Sequence, residues 1–230
     1  MKKVLALKNV LVLAALALTC ACSTDYASLR RGGDTYADFA GLAAANKEGL
    51  DYSIERYDRA SPAVIFAIHG GDIETGTARV ARRIAGSDLN LYIFQGWTGP
   101  GKSGLLHLTS AHFDEPGAVR LATSSVVALS VHGQMDKGDW VCIGGRNKEL
   151  GRAVADKLIR AGFAAETPCA RLPGVAEKNI VNRAREAGVQ LEITLRLLGR
   201  LERSPEVMSK FSVAVRSAIS EYLRKQGVSR

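Results

Sequence analysis

Ala63-Val64-Ile65-Phe66-Ala67-Ile68-His69-Gly70-Gly71-Asp72-Ile73-Glu74-Thr75-Gly76-Thr77 is the stretch that decides the fold of this 230-residue chain. Six consecutive apolar residues run straight into a histidine and two glycines. An apolar run of that length reads as a strand buried on both faces, as in the interior of a parallel sheet. Gly70-Gly71 ends it in a tight turn, and Thr77–Ala85 follows as a helix pattern. Strand, glycine turn and helix in that order open an α/β unit, in which ligands sit outside the carboxyl ends of the strands.

The pattern repeats outward. Leu91–Gln95, Ser125–Val131, Trp140–Ile143 and Val189–Ile193 predict further buried strands. Asn147–Ala161 predicts a helix, with Leu150, Val154, Leu158 and Ile159 at helical spacing and Gly162 as its stop. Ser204 and Pro205 open a last helix that places Val207, Phe211, Ala214, Ala218 and Tyr222 on one face. The expected fold is a single α/β domain with a mixed, mostly parallel open sheet and helices on both faces. A 47% apolar and 23% charged composition without internal repeats excludes disorder, coiled coil and solenoid.

Residues 1–21 read as a signal peptide, because Lys2, Lys3 and Lys8 precede the apolar Val10–Ala21. Leu18-Thr19-Cys20-Ala21-Cys22 resembles a bacterial lipobox, with Cys22 favoured over Cys20 as the lipidated residue; Thr19 departs from that pattern and keeps cleavage without lipid open. The expectation is export to the cell envelope with membrane contact through a lipid anchor only. Residues 22–47 form a lead-in and 48–230 the working domain. Formal charge is +8, but the leader holds three lysines and no acid, which leaves a surplus of five basic residues. Residues 196–230 carry eight Lys or Arg against three acids; that basic face could meet a polyanion or an anionic surface, a solvated face is the commoner reading, and no nucleic-acid partner is expected. Cys142 and Cys169 remain; an oxidising compartment lets them pair, and two buried thiols fit equally well.

Gly96-Trp97-Thr98-Gly99-Pro100-Gly101-Lys102-Ser103 matches the phosphate-loop pattern. Pro100 removes a backbone donor, and Leu106–Thr109 alternates like a strand where a helix is required, so a glycine-rich surface turn is the expectation.

His69 and His132 each end a predicted strand and are followed by glycine, and Glu74 returns five residues after His69. Two histidines and a carboxylate meeting at strand ends make a His2Glu set with a fourth position open for water, the arrangement of a catalytic zinc. Singly, each histidine reads equally as a hydrogen-bonded structural residue. Glu192 is an acid inside the apolar run Val189–Ile193, costly unless paired or functional, and it suits a general base or an ion pair with Arg183 or Arg196. Asn182-Arg183 offers an amide beside a guanidinium, a pair fit to hold a carboxylate.

These segments together resemble the poly-γ-glutamate hydrolase family, zinc peptidases with a fold akin to zinc carboxypeptidases. The matching stretches include Asp51-Tyr52-Ser53-Ile54, His69-Gly70-Gly71-Asp72-Ile73-Glu74, Leu106-His107-Leu108-Thr109-Ser110, Phe113-Asp114-Glu115-Pro116, Ser130-Val131-His132-Gly133, Asn179-Ile180-Val181-Asn182-Arg183 and Gln190-Leu191-Glu192-Ile193, colinear between Tyr26 and Arg196. The resemblance implies that His69, Glu74 and His132 hold zinc and that Glu192 is the base. Substrate would be a polyanionic γ-glutamyl chain gripped by Asn182 and Arg183, or a peptidoglycan stem peptide. His107 is expected at the substrate or donating to the tetrahedral intermediate, with Asp114 and Glu115 orienting a ligand histidine. A non-catalytic envelope binding protein of the same fold is the alternative.

Overall fold

The computed structural model describes residues 33–99 and 103–228. The expected leader, with Cys22, lies outside the described residues, as do Pro100, Gly101 and Lys102.

In chain order the elements are α1 (Phe39–Ala45), β1 (Tyr52–Tyr57), β2 (Ala63–Gly71), α2 (Thr77–Ala85), β3 (Asn90–Gly96), a 3-10 turn at Ser103–Leu106, α3 (Pro116–Ser124), β4 (Val127–Gln134), β5 (Trp140–Gly145), α4 (Lys148–Arg160), β6 (Ala164–Glu166), a second 3-10 turn at Ile180–Arg183, β7 (Gly188–Thr194), α5 (Leu195–Arg203) and α6 (Pro205–Lys225). The strands form one sheet in the order β1-β3-β2-β4-β7-β5-β6. It is mixed and mostly parallel: β2 pairs in parallel with β3 and β4, β4 with β7 and β5 with β6, while β1–β3 and β5–β7 are antiparallel.

Side-chain alternation along the strands sorts the core into two layers. Ile65, Ala67, Ile93, Leu129, Val131, Leu191 and Ile193 face the layer closed by α2, α4, α5 and α6. Val64, Phe66, Ile68, Tyr92, Phe94 and Ala128 face the other, closed by α1, α3 and the ring of Phe113. The helix starts follow from local chemistry. Asn147 and Ser204 each accept a backbone N–H of the following first turn, from Leu150 and Val207, and Pro205 occupies a position that needs no donor.

Topology places a crevice. From β2 the chain crosses through α2 to β3 on one side, and from β3 it returns through α3 to β4 on the other side of β2. Because α2 and α3 lie on opposite faces, the carboxyl ends of β2 and β4 part at a switch point. Strand β7 then inserts between β4 and β5, which sets Glu192 level with His132 on one side and with Cys142 on the other.

The glycine-rich motif following β3 leads into a four-residue 3-10 turn, and among the described residues no α-helix begins between that motif and Pro116. It therefore lacks the helix start that a phosphate loop uses. Leu106–Thr109, expected to alternate as a strand, is instead the end of that turn and irregular chain. Strands β1 and β6 escape a search for apolar runs, because β1 is a half-exposed edge reading Tyr-Ser-Ile-Glu-Arg-Tyr and β6 has three residues. The described part of the lead-in also packs on the domain, with Leu42 fully buried in the second layer.

Helix α6 closes the larger layer through Phe211, fully buried and edge-on to Phe163 at 5.2 Å between ring centroids. Phe211→Ala should cost about 3–5 kcal/mol of stability, read as a lower urea midpoint at unchanged slope.

Candidate metal centre

Three of the predicted residues converge at the switch point. His69 lies near the end of β2 and His132 near the end of β4, and Glu74 returns in the turn between β2 and α2; all three are buried. Strict alternation would send His69 to the face of Ile65 and Ala67, away from His132. The register of β2 against β3 slips between Ala67 and Gly70, and this bulge turns His69 out of sequence with its strand. Gly71 makes the following turn possible: its φ is +70°, and a Cβ there would stand 2.3 Å from the carbonyl oxygen of Gly96. The Glu74 N–H donates to the His69 carbonyl at 2.7 Å, which closes the turn and brings the carboxylate back over the histidine.

Nδ1 of His69 lies 2.8 Å from Glu74 Oε1 and 3.1 Å from Nδ1 of His132, and the latter is 3.5 Å from Glu74 Oε2. Ligand atoms about 2.0–2.1 Å from a tetrahedral zinc stand about 3.3 Å apart, so this donor triangle has the right size. The tautomers agree. His69 Nε2–H donates to the Leu108 carbonyl at 2.8 Å, which leaves its Nδ1 as a lone pair facing the cluster. His132 turns Nε2 to the hydroxyls of Ser130, at 3.1 Å, and Ser110, at 3.4 Å, so its Nδ1 also faces inward. Glu74 Oε2 accepts the Gly133 N–H at 2.8 Å, which fixes the carboxylate plane. Charge favours a cation at this point. Burial alone would raise the Glu74 carboxyl, but His69 and His132 outweigh it and hold it well below the usual range. Burial alone would lower His132, but the carboxylates of Glu192 and Glu74 hold it above its ordinary value.

Glu192 is buried beside this cluster, and Gln190 Nε2 donates to its Oε1 at 2.7 Å. Burial pushes its carboxyl up to about 7, with His132 pulling it down and Glu74 adding to the rise. A carboxyl so placed titrates in the range where it can both take and return a proton.

His107 stacks on His69 with ring centroids 4.2 Å apart, and its Nδ1 lies 3.0 Å from Asp34 Oδ1. Burial, and then His69, push it down to about 4. A neutral ring that gives its Nδ1–H to Asp34 leaves Nε2 as an acceptor, so His107 is suited to receive a substrate N–H rather than donate. Burial raises the Asp34 carboxyl, but the Thr109 N–H, His112, the Thr109 hydroxyl and His107 outweigh it and lower it overall.

His69, Glu74, His107, His132 and Glu192 line one cleft of about 540 Å³, together with Arg171 and the loop that follows it. A larger hollow of about 970 Å³ opens at the amino ends of the parallel strands and holds none of these groups. Asn182 and Arg183 are not brought to the cleft. Asn182 instead donates to the carbonyls of Gly174 and Ala176, at 2.7 and 2.8 Å, and Arg183 Nε donates to the Lys178 carbonyl. Nor do Asp114 and Glu115 orient a ligand histidine: Asp114 accepts the Phe39 N–H, and Glu115 caps α3 through the Ala118 N–H. The partners that do so are a backbone carbonyl and two hydroxyls, which carry no sequence signal of their own. Gln190 had a signal, since it sits two residues before Glu192 on the same face of an otherwise apolar strand.

Residues 36–211 match the family model described as poly-γ-glutamate hydrolase. The chain belongs to that family. Among solved structures, the bacteriophage poly-γ-glutamate hydrolase superposes with a TM-score of 0.77 at 32% identity, covering 85% of this chain and all of that one. YndL of Bacillus subtilis (strain 168) is 34% identical over 164 residues, and its apo structure, described as zinc-free, superposes with a TM-score of 0.74 over 81% of this chain and 98% of that one. The prophage-derived YoqZ of the same organism is 35% identical over 187 residues, 80% of this chain. The match spans 64% of YndL and 65% of YoqZ.

A family member with this donor triangle should bind one divalent cation per chain in zinc titration calorimetry. Binding should vanish in His132→Ala and weaken about tenfold or more in Ser130→Ala, whose hydroxyl only orients the ring.

Proposed function

We propose that this chain is a zinc-dependent hydrolase of γ-glutamyl amide bonds. The observation that carries the reading is Glu192, a buried carboxyl with its proton affinity raised to about 7, set beside a triangle of two imidazoles and a carboxylate. Family membership and the zinc-free description of the YndL structure support the choice of metal and reaction class.

His69 Nδ1, His132 Nδ1 and one Glu74 oxygen would hold the ion, and zinc when bound polarises a carbonyl and lowers the pKa of water. Glu192 takes the proton of the attacking water and passes it to the leaving amine nitrogen. The Gln190 amide ties down Oε1, which leaves Oε2 as the basic atom. His107, fixed by Asp34, accepts an N–H of the bound chain.

We further propose export to the cell envelope with anchoring through Cys22. The leader pattern supports it, and the Cys142–Cys169 disulfide suits an oxidising compartment. There a peptidoglycan stem peptide, which also contains a γ-glutamyl bond, is the competing substrate for a polyanionic poly-γ-glutamate chain.

Glu192→Gln should lower hydrolysis of poly-γ-glutamate by at least about 100-fold with zinc content unchanged. Absence of turnover by the parent on both poly-γ-glutamate and muropeptides would favour a binding protein. The base must be deprotonated, so kcat/KM should fall on acidification. The midpoint should lie at or below about 7, because any cation held by the triangle favours the carboxylate.

A further inference from the structure

Across the cleft from the metal ligands, the chain after β6 forms a loop that is fastened on both sides of one arginine. Upstream, Cys169 is joined to Cys142 of β5 by a disulfide, and its N–H donates to the Ile143 carbonyl at 2.9 Å. Downstream, the Leu172 carbonyl accepts from Gln190 Nε2 at 3.2 Å and the Pro173 carbonyl from the Gly145 N–H at 2.8 Å, while Gly174 is held by Asn182. The approach is close: a Cβ on Gly144 would stand 2.7 Å from the carbonyl oxygens of Leu172 and Pro173. Arg171 thus rises from a rigid stub.

Arg171 lines the cleft, with its side chain 62% exposed. Nη2 donates to Gln134 Oε1 at 3.2 Å and pairs with Asp136. Gln134 in turn donates to the Glu192 carbonyl at 3.2 Å, so two hydrogen bonds link the arginine to the strand that carries the base. Both contacts use Nη2. Nη1 and Nε have no hydrogen-bond partner among the described residues; they lie on opposite edges of the guanidinium, and each offers an N–H to a single carboxylate oxygen.

A γ-glutamyl bond consumes the side-chain carboxyl of glutamate and leaves the α-carboxylate of each residue free. We propose that Arg171 is the specificity-determining residue that takes this α-carboxylate, and that the Cys142–Cys169 disulfide positions it. The assignment rests on the γ-glutamyl reading above. It also gives Asn182, which the sequence pointed to as a substrate contact, a place one step back: it holds the loop rather than the ligand.

The test pairs kinetics with equilibrium binding. Arg171→Ala should raise KM for a γ-linked glutamate oligomer about 10- to 100-fold with kcat within about threefold, and Arg171→Lys should recover part of the loss. The parent should lose affinity to the same extent when the oligomer carries α-amides, and on that substrate Arg171→Ala should change nothing further. The double substitution Cys142→Ser with Cys169→Ser should raise KM in the parent but not in the Arg171→Ala background. Binding of the oligomer to Glu192→Gln, measured by calorimetry with and without Arg171→Ala, reads the same contact without turnover. An Arg171→Ala KM within twofold of the parent, or an equal loss on acid and α-amide substrates, would overturn the assignment while hydrolysis itself stands. If the parent hydrolyses neither form but the oligomer binds in an Arg171-dependent way, the assignment stands and the hydrolase reading falls.

Discussion

Two imidazole nitrogens 3.1 Å apart, with one carboxylate against both, cannot sit in a buried pocket as bare lone pairs. They repel unless something positive lies between them, either a proton or a metal cation. Much of the surrounding structure serves to keep them together. The bulge in β2 re-aims His69, the Gly71 turn returns Glu74, the Leu108 carbonyl and the Ser130 hydroxyl select the ring nitrogens, and the Gly133 N–H fixes the carboxylate. Backbone supplies four of these five supports, which makes the site a property of the fold as much as of its side chains.

The second carboxylate has the opposite character. Glu74 has a histidine nitrogen against each oxygen, whereas Glu192 has one amide donor and sits in a largely apolar strand. The same low-dielectric pocket therefore splits two glutamates into a carboxylate held ionised and a carboxyl raised to about 7. The chain belongs to the poly-γ-glutamate hydrolase family, and the bacteriophage poly-γ-glutamate hydrolase superposes over 85% of it.

Much was legible in the chain. Buried strands of a parallel sheet announce themselves as apolar runs, and strand ends marked His-Gly point to the edge where such sheets bind ligands. The candidate metal triad lies within that logic, as does Glu192, because an acid in an apolar strand has no cheap structural explanation. The edge strands β1 and β6 and the helices α1, α3 and α5 were not legible, since short, half-exposed elements lack the contrast that burial imposes.

By itself the sequence determined the α/β class, the order of the central strands and of the helices α2, α4 and α6, the donor types and their place at strand ends. Those follow from local periodicity and from turn chemistry, which act over a few residues. Only the tertiary structure decided that β7 inserts between β4 and β5, and so sets Glu192 beside His132 sixty positions away. It alone decided that Asp34 anchors His107, that Cys142 meets Cys169 and that Arg171 rather than Arg183 faces the cleft. Each of these is a long-range pairing chosen by how two layers close over one sheet, and no local pattern encodes which loop ends on which side of that closure.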